Sequence, residues 1–228
     1  YFEKLDQLSE TAKLQTIGYT HEHRPKVILT IASAKNMGNL EQIRQKQLQL
    51  ADPSQPKPDV ADMPSIIHLG YGVHGNEPSS AEAAMLTAYW LMASQSDLAK
   101  NLRENSVVHI DPTLNPDGRD RHSLWANSNK GFPPVADPLD REHNEAWPNG
   151  RTNHYWFDLN RDWLPLAHPE SKVKVEWYHQ WYPNVTTDFH EMGTNSTYFF
   201  EPTKPYGSEN PVVPRKNYDD INPRFAKY

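Results

Sequence analysis

Short apolar runs of strand length alternate along this chain with stretches whose apolar residues recur at helical spacing. The opening YFEKLDQLSETAKLQTIGYTHEHRPKVILTIAS reads as a short helix, a strand around Leu14 to Tyr19, a turn at HEHRP and a strand from Val27 to Ala32, most simply a hairpin. NLEQIRQKQLQLA sets Leu40, Ile43, Leu48 and Leu50 among good helix formers, and the prolines of DPSQPKPD end it in a loop. PSIIHLG, bounded by Pro64 and Gly70, is a continuous apolar run of the kind buried on both faces of a sheet. Ser79 and Glu82 fit a capping box ahead of Met85, Tyr89 and Met92, so a helix is predicted from about Ser80 to Ala93. SVVHIDPT repeats the buried-strand signature, PESKVKVEWYHQWY reads as a further helix, and NVTTDFHE as another strand.

Strands alternating with helices predict an α/β domain of three-layer α/β/α architecture with a mixed, largely parallel central sheet. Between Gly118 and Gly150 lies a stretch rich in Asn, Pro, Asp and His with no clear period, too long for a simple connection. Asn115 to Gly118, NPDG, reads as turn chemistry that shapes a neighbouring site. No internal repeat or low-complexity segment is evident.

A length of 228 residues suits a single domain over 1–228 with a substantial core. The balance of 23 basic against 29 acidic residues, with no basic cluster, argues against a nucleic-acid partner. No apolar run approaches the roughly 20 residues of a membrane span, so none is expected. The chain has no cysteine, so any metal site must draw on His, Asp and Glu. It begins at Tyr1 rather than Met, as a processed form or a segment of a longer protein would, and processing would favour a periplasmic or secreted location.

Candidate chemistry begins at the end of PSIIHLG, where GYGVHGNEPSS places His74 three positions before Glu77. Composition alone can produce one such pair, so context decides its weight. In open α/β sheets ligands gather beyond the carboxyl ends of strands, where both residues fall. His190 follows the β-branched run of NVTTDFHE and ends a second strand in the same way. Two His and one Glu form a known catalytic zinc set, which leaves a fourth position for an activated water and points to hydrolysis. Glu191, adjacent to His190 on a strand, should face away from such a site. His21, His23, His122, His143, His154, His168 and His179 fall in loops or on helix faces and are read as solvated or simply hydrogen-bonded. His68 and His109, inside strands, are read as satisfied core polar groups.

HGNE (His74, Glu77), NPDG (Asn115 to Gly118), NGRTN (Asn149 to Asn153), DLNRDW (Asp158 to Trp163) and DFHE (Asp188 to Glu191) occur in that order. Together they resemble the zinc metallocarboxypeptidases of the A/B and N/E types. The resemblance implies one zinc ion on His74, Glu77 and His190, and a peptide substrate with a free C-terminal carboxylate. It implies that Asn160 and Arg161 grip that carboxylate, that Arg151 polarises the scissile carbonyl and stabilises the oxyanion, and that Asp158 receives a hydrogen bond from a zinc-binding imidazole. The family's general-base glutamate and substrate-closing tyrosine come several tens of residues after the third ligand, whereas 38 residues follow His190. Glu201 and Glu209 in that tail lack a strand-like frame, so the base is assigned to no residue of this sequence, and the catalytic domain is expected to lack its C-terminal portion. The rival readings are a zinc-dependent deacylase of N-acyl amino acids and a non-catalytic metal- or peptide-binding module.

Overall fold

A computed structural model of the chain describes residues 1–193 together with 196, 216, 219, 220, 223, 224 and 227. The chain divides into two compact units, Tyr1–Glu191 and Met192–Tyr228. In the second, Lys216, Asp219, Asp220, Pro223 and Arg224 are helical. Everything below concerns the first.

Helix α1 (Phe2–Leu8) leads into a hairpin of β1 (Ala12–Tyr19) and β2 (Pro25–Ile31), followed by α2 (Ala34–Gly38) and α3 (Leu40–Ala51). Strand β3 (Ser65–Tyr71), helices α4 (Pro78–Ala93) and α5 (Asp97–Asn105), and strand β4 (Ser106–Asp111) come next. Helix α6 (Pro116–Asn129), a short 3-10 turn (Leu159–Arg161), α7 (Pro169–Trp181) and β5 (Val185–Phe189) complete the unit. The strands form one mixed sheet in the order β1-β2-β4-β3-β5. β1 pairs antiparallel with β2 and β2 with β4, whereas β4, β3 and β5 run parallel.

Alternation along the strands separates two cores. Leu29, Ile31, Val108 and Ile110 pack with Phe2 of α1 and with Ala84, Ala88 and Leu91 of α4. Ile28, Ile66 and Val107 pack with Ile43 of α3 and with Trp177 and Trp181 of α7. Successive side chains on a strand point to opposite faces, so neighbours such as Val107 and Val108 serve different layers. All six residues of β4 are buried, the polar Ser106, His109 and Asp111 included. Lys26 and Asp111 form an ion pair at 3.2 Å with both side chains fully buried, and Lys26 also donates to the Thr113 carbonyl.

Several local readings are corrected. NPDG is a helix start rather than a turn: Asn115 is the N-cap of α6, its side chain accepting the Gly118 N–H, and Pro116 occupies the first turn, where its missing N–H costs nothing. The aperiodic stretch after Gly118 is therefore helical as far as Asn129. Helix α4 starts at Pro78 with Glu77 as its N-cap residue, ahead of the expected capping box at Ser79 and Glu82. His109 Nδ1 bonds Thr30 Oγ1 at 2.9 Å, but His109 Nε2 and both ring nitrogens of His68 have no hydrogen-bond partner among the described residues. Its ring packs instead against Trp177, at 5.1 Å between centroids.

Candidate metal centre

The centre is assembled from segments that leave the carboxyl ends of the parallel strands. Past those ends the loops after β3 and β4 run together, with Leu114 N–H donating to the Tyr71 carbonyl and Asn115 N–H to that of Gly72, both at 3.0 Å. Val73, Leu114 and Leu159 form a small apolar cluster that anchors three of the participating loops. Backbone then meets backbone at three glycines. A Cβ on Gly75 would lie 2.1 Å from Arg119 N and 2.6 Å from Gly150 O, and one on Gly118 would lie 2.4 Å from Gly150 O. No larger residue permits that approach, which is why HGNE, NPDG and NGRTN each carry a glycine here. Asn115 Nδ2 donates to the Arg151 carbonyl at 3.1 Å, and Glu145 accepts from Asn76 Nδ2 at 2.9 Å and from Gly150 N–H at 2.7 Å.

On this frame His74 Nδ1 lies 2.8 Å from Glu77 Oε1, and His190 Nδ1 lies 3.2 Å from Glu77 Oε2. One ligand atom from each residue falls within 4.8 Å of the other two. Zinc bonds nitrogen and oxygen at about 2.0–2.2 Å in tetrahedral geometry, which sets ligand atoms about 3.3 Å apart, so the donor set and its spacing suit that ion. Each imidazole turns its other nitrogen to a carboxylate. His74 Nε2 is 3.0 Å from Asp158 Oδ1, and His190 Nε2 is 2.9 Å from Asp188 Oδ2. Such partners fix the tautomer that leaves Nδ1 free to donate its lone pair.

Arg151 joins the same group. Its Nε and Nη2 donate to Asp158 Oδ2 at 3.2 and 3.1 Å, and Nη1 stands 3.8 Å from Glu77 Oε1. Burial works against the Glu77 carboxylate, but hydrogen bonds from His190, His74 and the Glu191 backbone prevail and hold its pKa at about 2. Hydrogen bonds to Asp188 and Glu77 raise His190 to about 9.

Asn160 and Arg161 sit on the 3-10 turn directly after Asp158. Asn160 Oδ1 accepts the Trp163 indole N–H at 3.0 Å, and exposed Arg161 donates to the Asn160 carbonyl at 2.9 Å. Among the described residues, no hydrogen bond or ion pair joins either side chain to His74, Glu77 or His190. Glu191 turns its carboxylate to the Ser79 N–H at 2.6 Å, while its own N–H reaches Glu77 Oε2 at 3.1 Å. Glu201 and Glu209 lie outside the described residues. The sequence reading missed Asp188 and Glu145. Asp188 was accessible in principle, because residues two apart on a strand share a face with His190.

The model of the family described as zinc carboxypeptidase matches residues 1–227. The probable carboxypeptidase 2 of Trichophyton verrucosum is 26% identical over 132 residues, which are 58% of this chain and 20% of that protein. Carboxypeptidase SOL1 of Arabidopsis thaliana is 33% identical over 116 residues, 50% of this chain and 20% of that one. The matched segment is thus about a fifth of each of these relatives. Among solved structures, a metallo-carboxypeptidase from Burkholderia cenocepacia superposes with a TM-score of 0.52 at 21% identity, over 83% of this chain and 38% of that one. Carboxypeptidase A from Helicoverpa armigera gives 0.51 at 16% identity, over 85% and 44%. At these identities the two structures speak for the fold, and the family match speaks for the lineage: this chain belongs to the zinc carboxypeptidase family.

Proposed function

We propose that this chain carries the metal-holding and substrate-gripping part of a metallocarboxypeptidase that hydrolyses the C-terminal peptide bond of peptides. The observation that carries the reading is the convergence of His74, Glu77 and His190, with a carboxylate behind each imidazole and Arg151 alongside. His74 and His190 through Nδ1, with the Glu77 carboxylate, would hold a single zinc ion. When bound, zinc supplies Lewis-acid polarisation of a carbonyl and activation of water near neutral pH.

The chain's own residues do the rest. Asp158 orients His74 and holds Arg151 next to the centre, where its guanidinium is poised to stabilise negative charge developing on the carbonyl oxygen. Arg161, exposed and on the turn beside Asp158, offers a planar fork that can meet both oxygens of a terminal carboxylate, with Asn160 as its neighbour. No described residue is assigned as the proton-transferring base.

The test separates metal from substrate recognition. Zinc content after dialysis should fall by one equivalent in Glu77→Ala, and unchanged content would sink the ligand assignment. A peptide with a free C-terminus should bind at least tenfold more tightly than its amidated form, with the preference lost in Arg161→Ala. A preference that survives that substitution would move the carboxylate grip elsewhere, and hydrolysis of N-acyl amino acids instead of peptides would favour the deacylase.

A further inference from the structure

A second group of potential ligands lies outside this centre. His21, in the turn between β1 and β2, and His168 and Glu170, at the start of α7, each offer an atom within 4.8 Å of the other two. His21 Nε2 and His168 Nδ1 are 3.0 Å apart, although 147 positions separate them in sequence. That spacing is close to the roughly 3.3 Å that tetrahedral coordination requires. The rings are steadied by aromatic neighbours, His21 edge-on to Tyr155 at 4.6 Å and His168 against Phe157 at 4.6 Å.

Glu170 is the decisive member. Its side chain is fully buried, and neither carboxylate oxygen has a hydrogen-bond partner among the described residues. A buried carboxylate without partners is costly, and a cation is the usual remedy. Lys26 acts on Glu170 through space, but its own hydrogen bonds go to Asp111 and the Thr113 carbonyl. The two halves of the site are also held in register. At Gly18, beside a register shift in β1, an added Cβ would stand 2.4 Å from Val173 Cγ1 of α7. The hairpin and α7 are therefore in direct contact close to the cluster.

We infer that His21, His168 and Glu170 form a second divalent-metal site, of the class that takes zinc, which clips the β1–β2 turn to the start of α7. It is independent of the centre at His74, Glu77 and His190, and it needs no peptide substrate. Borderline imidazole and carboxylate donors select zinc or a neighbouring transition metal over calcium or magnesium.

Zinc bound per chain after dialysis against zinc chloride tests this, with circular dichroism to verify that each variant is folded. The unaltered chain should hold two equivalents, His21→Ala with His168→Ala one, Glu77→Ala one, and the combination none. Glu170→Gln, which keeps the shape and removes the charge, should weaken the second equivalent at least tenfold. A single equivalent lost in Glu77→Ala and untouched by the His21 and His168 changes would overturn the inference. A single equivalent lost with those histidines but kept in Glu77→Ala would uphold it and count against the proposed active centre instead.

Discussion

His68 and His109 face each other on adjacent parallel strands, both fully buried and both against the Trp177 ring. Burial lowers His68 from 6.5 to about 4 and His109 to about 3. Between those values and 6.5 the unfolded chain binds protons that the folded chain does not, so stability must fall as the pH drops below 6.5. Denaturant midpoints at about pH 7.5 and about pH 5 should differ more in the unaltered protein than in His109→Gln, which cannot take up the proton. Equal differences would assign the acid sensitivity to other groups. These same two residues mark a limit of sequence reading: their burial was legible from the apolar runs around them, but the missing partner of His68 was not. A strand pattern places a side chain inside without revealing what will stand next to it.

At the scale of elements, α4 has an unusual beginning. Its N-cap residue, Glu77, spends its carboxylate on His74 and His190 and makes no side-chain cap. The free N–H of Ser79 is met instead by Glu191, from the segment after β5. A carboxylate so placed also complements the helix dipole, and together the two effects contribute about 1 kcal/mol. Glu191→Ala should therefore lower stability by about 1 kcal/mol in urea unfolding, with zinc content retained, since the His190 and Glu77 side chains are untouched. Loss of zinc with unchanged stability would place Glu191 in the centre rather than at the helix end. The capping-box reading erred here because Ser79 and Glu82 satisfy the spacing rule just as well, and only the third dimension shows which carboxylate reaches which N–H. Strands β3 and β4 were legible because burial on both faces leaves continuous apolar runs. Helix α6 was not, because only Asp117 and Gly118 of its residues are buried and its sequence has no apolar stripe. His74, Glu77 and His190 could be picked out because all three follow strands. The His21, His168 and Glu170 group could not, since nothing local links a hairpin turn to the first turn of a distant helix.

For the molecule as a whole, the sheet is solid at its centre and thin at one margin. β4 is enclosed, whereas β5 pairs only with β3 among the described residues and is exposed at four of its five positions. Margins of this kind open locally at a far smaller free energy than the whole fold, and their amides exchange with solvent accordingly. His190 stands one residue beyond β5, and its proposed co-ligands belong to the loop after β3. A cation held by all three would fasten the weak strand to its neighbour, and by mass action could do so only while the strand is closed. Hydrogen exchange should accordingly slow at Thr186 and Thr187 when zinc is added, with no such slowing at these two residues in Glu77→Ala, and leave Val107 and Val108 unchanged. Equal exchange at Thr186 and Thr187 with and without zinc would uncouple the strand from the centre. If the coupling holds, the breathing of a single marginal strand sets how long the metal stays.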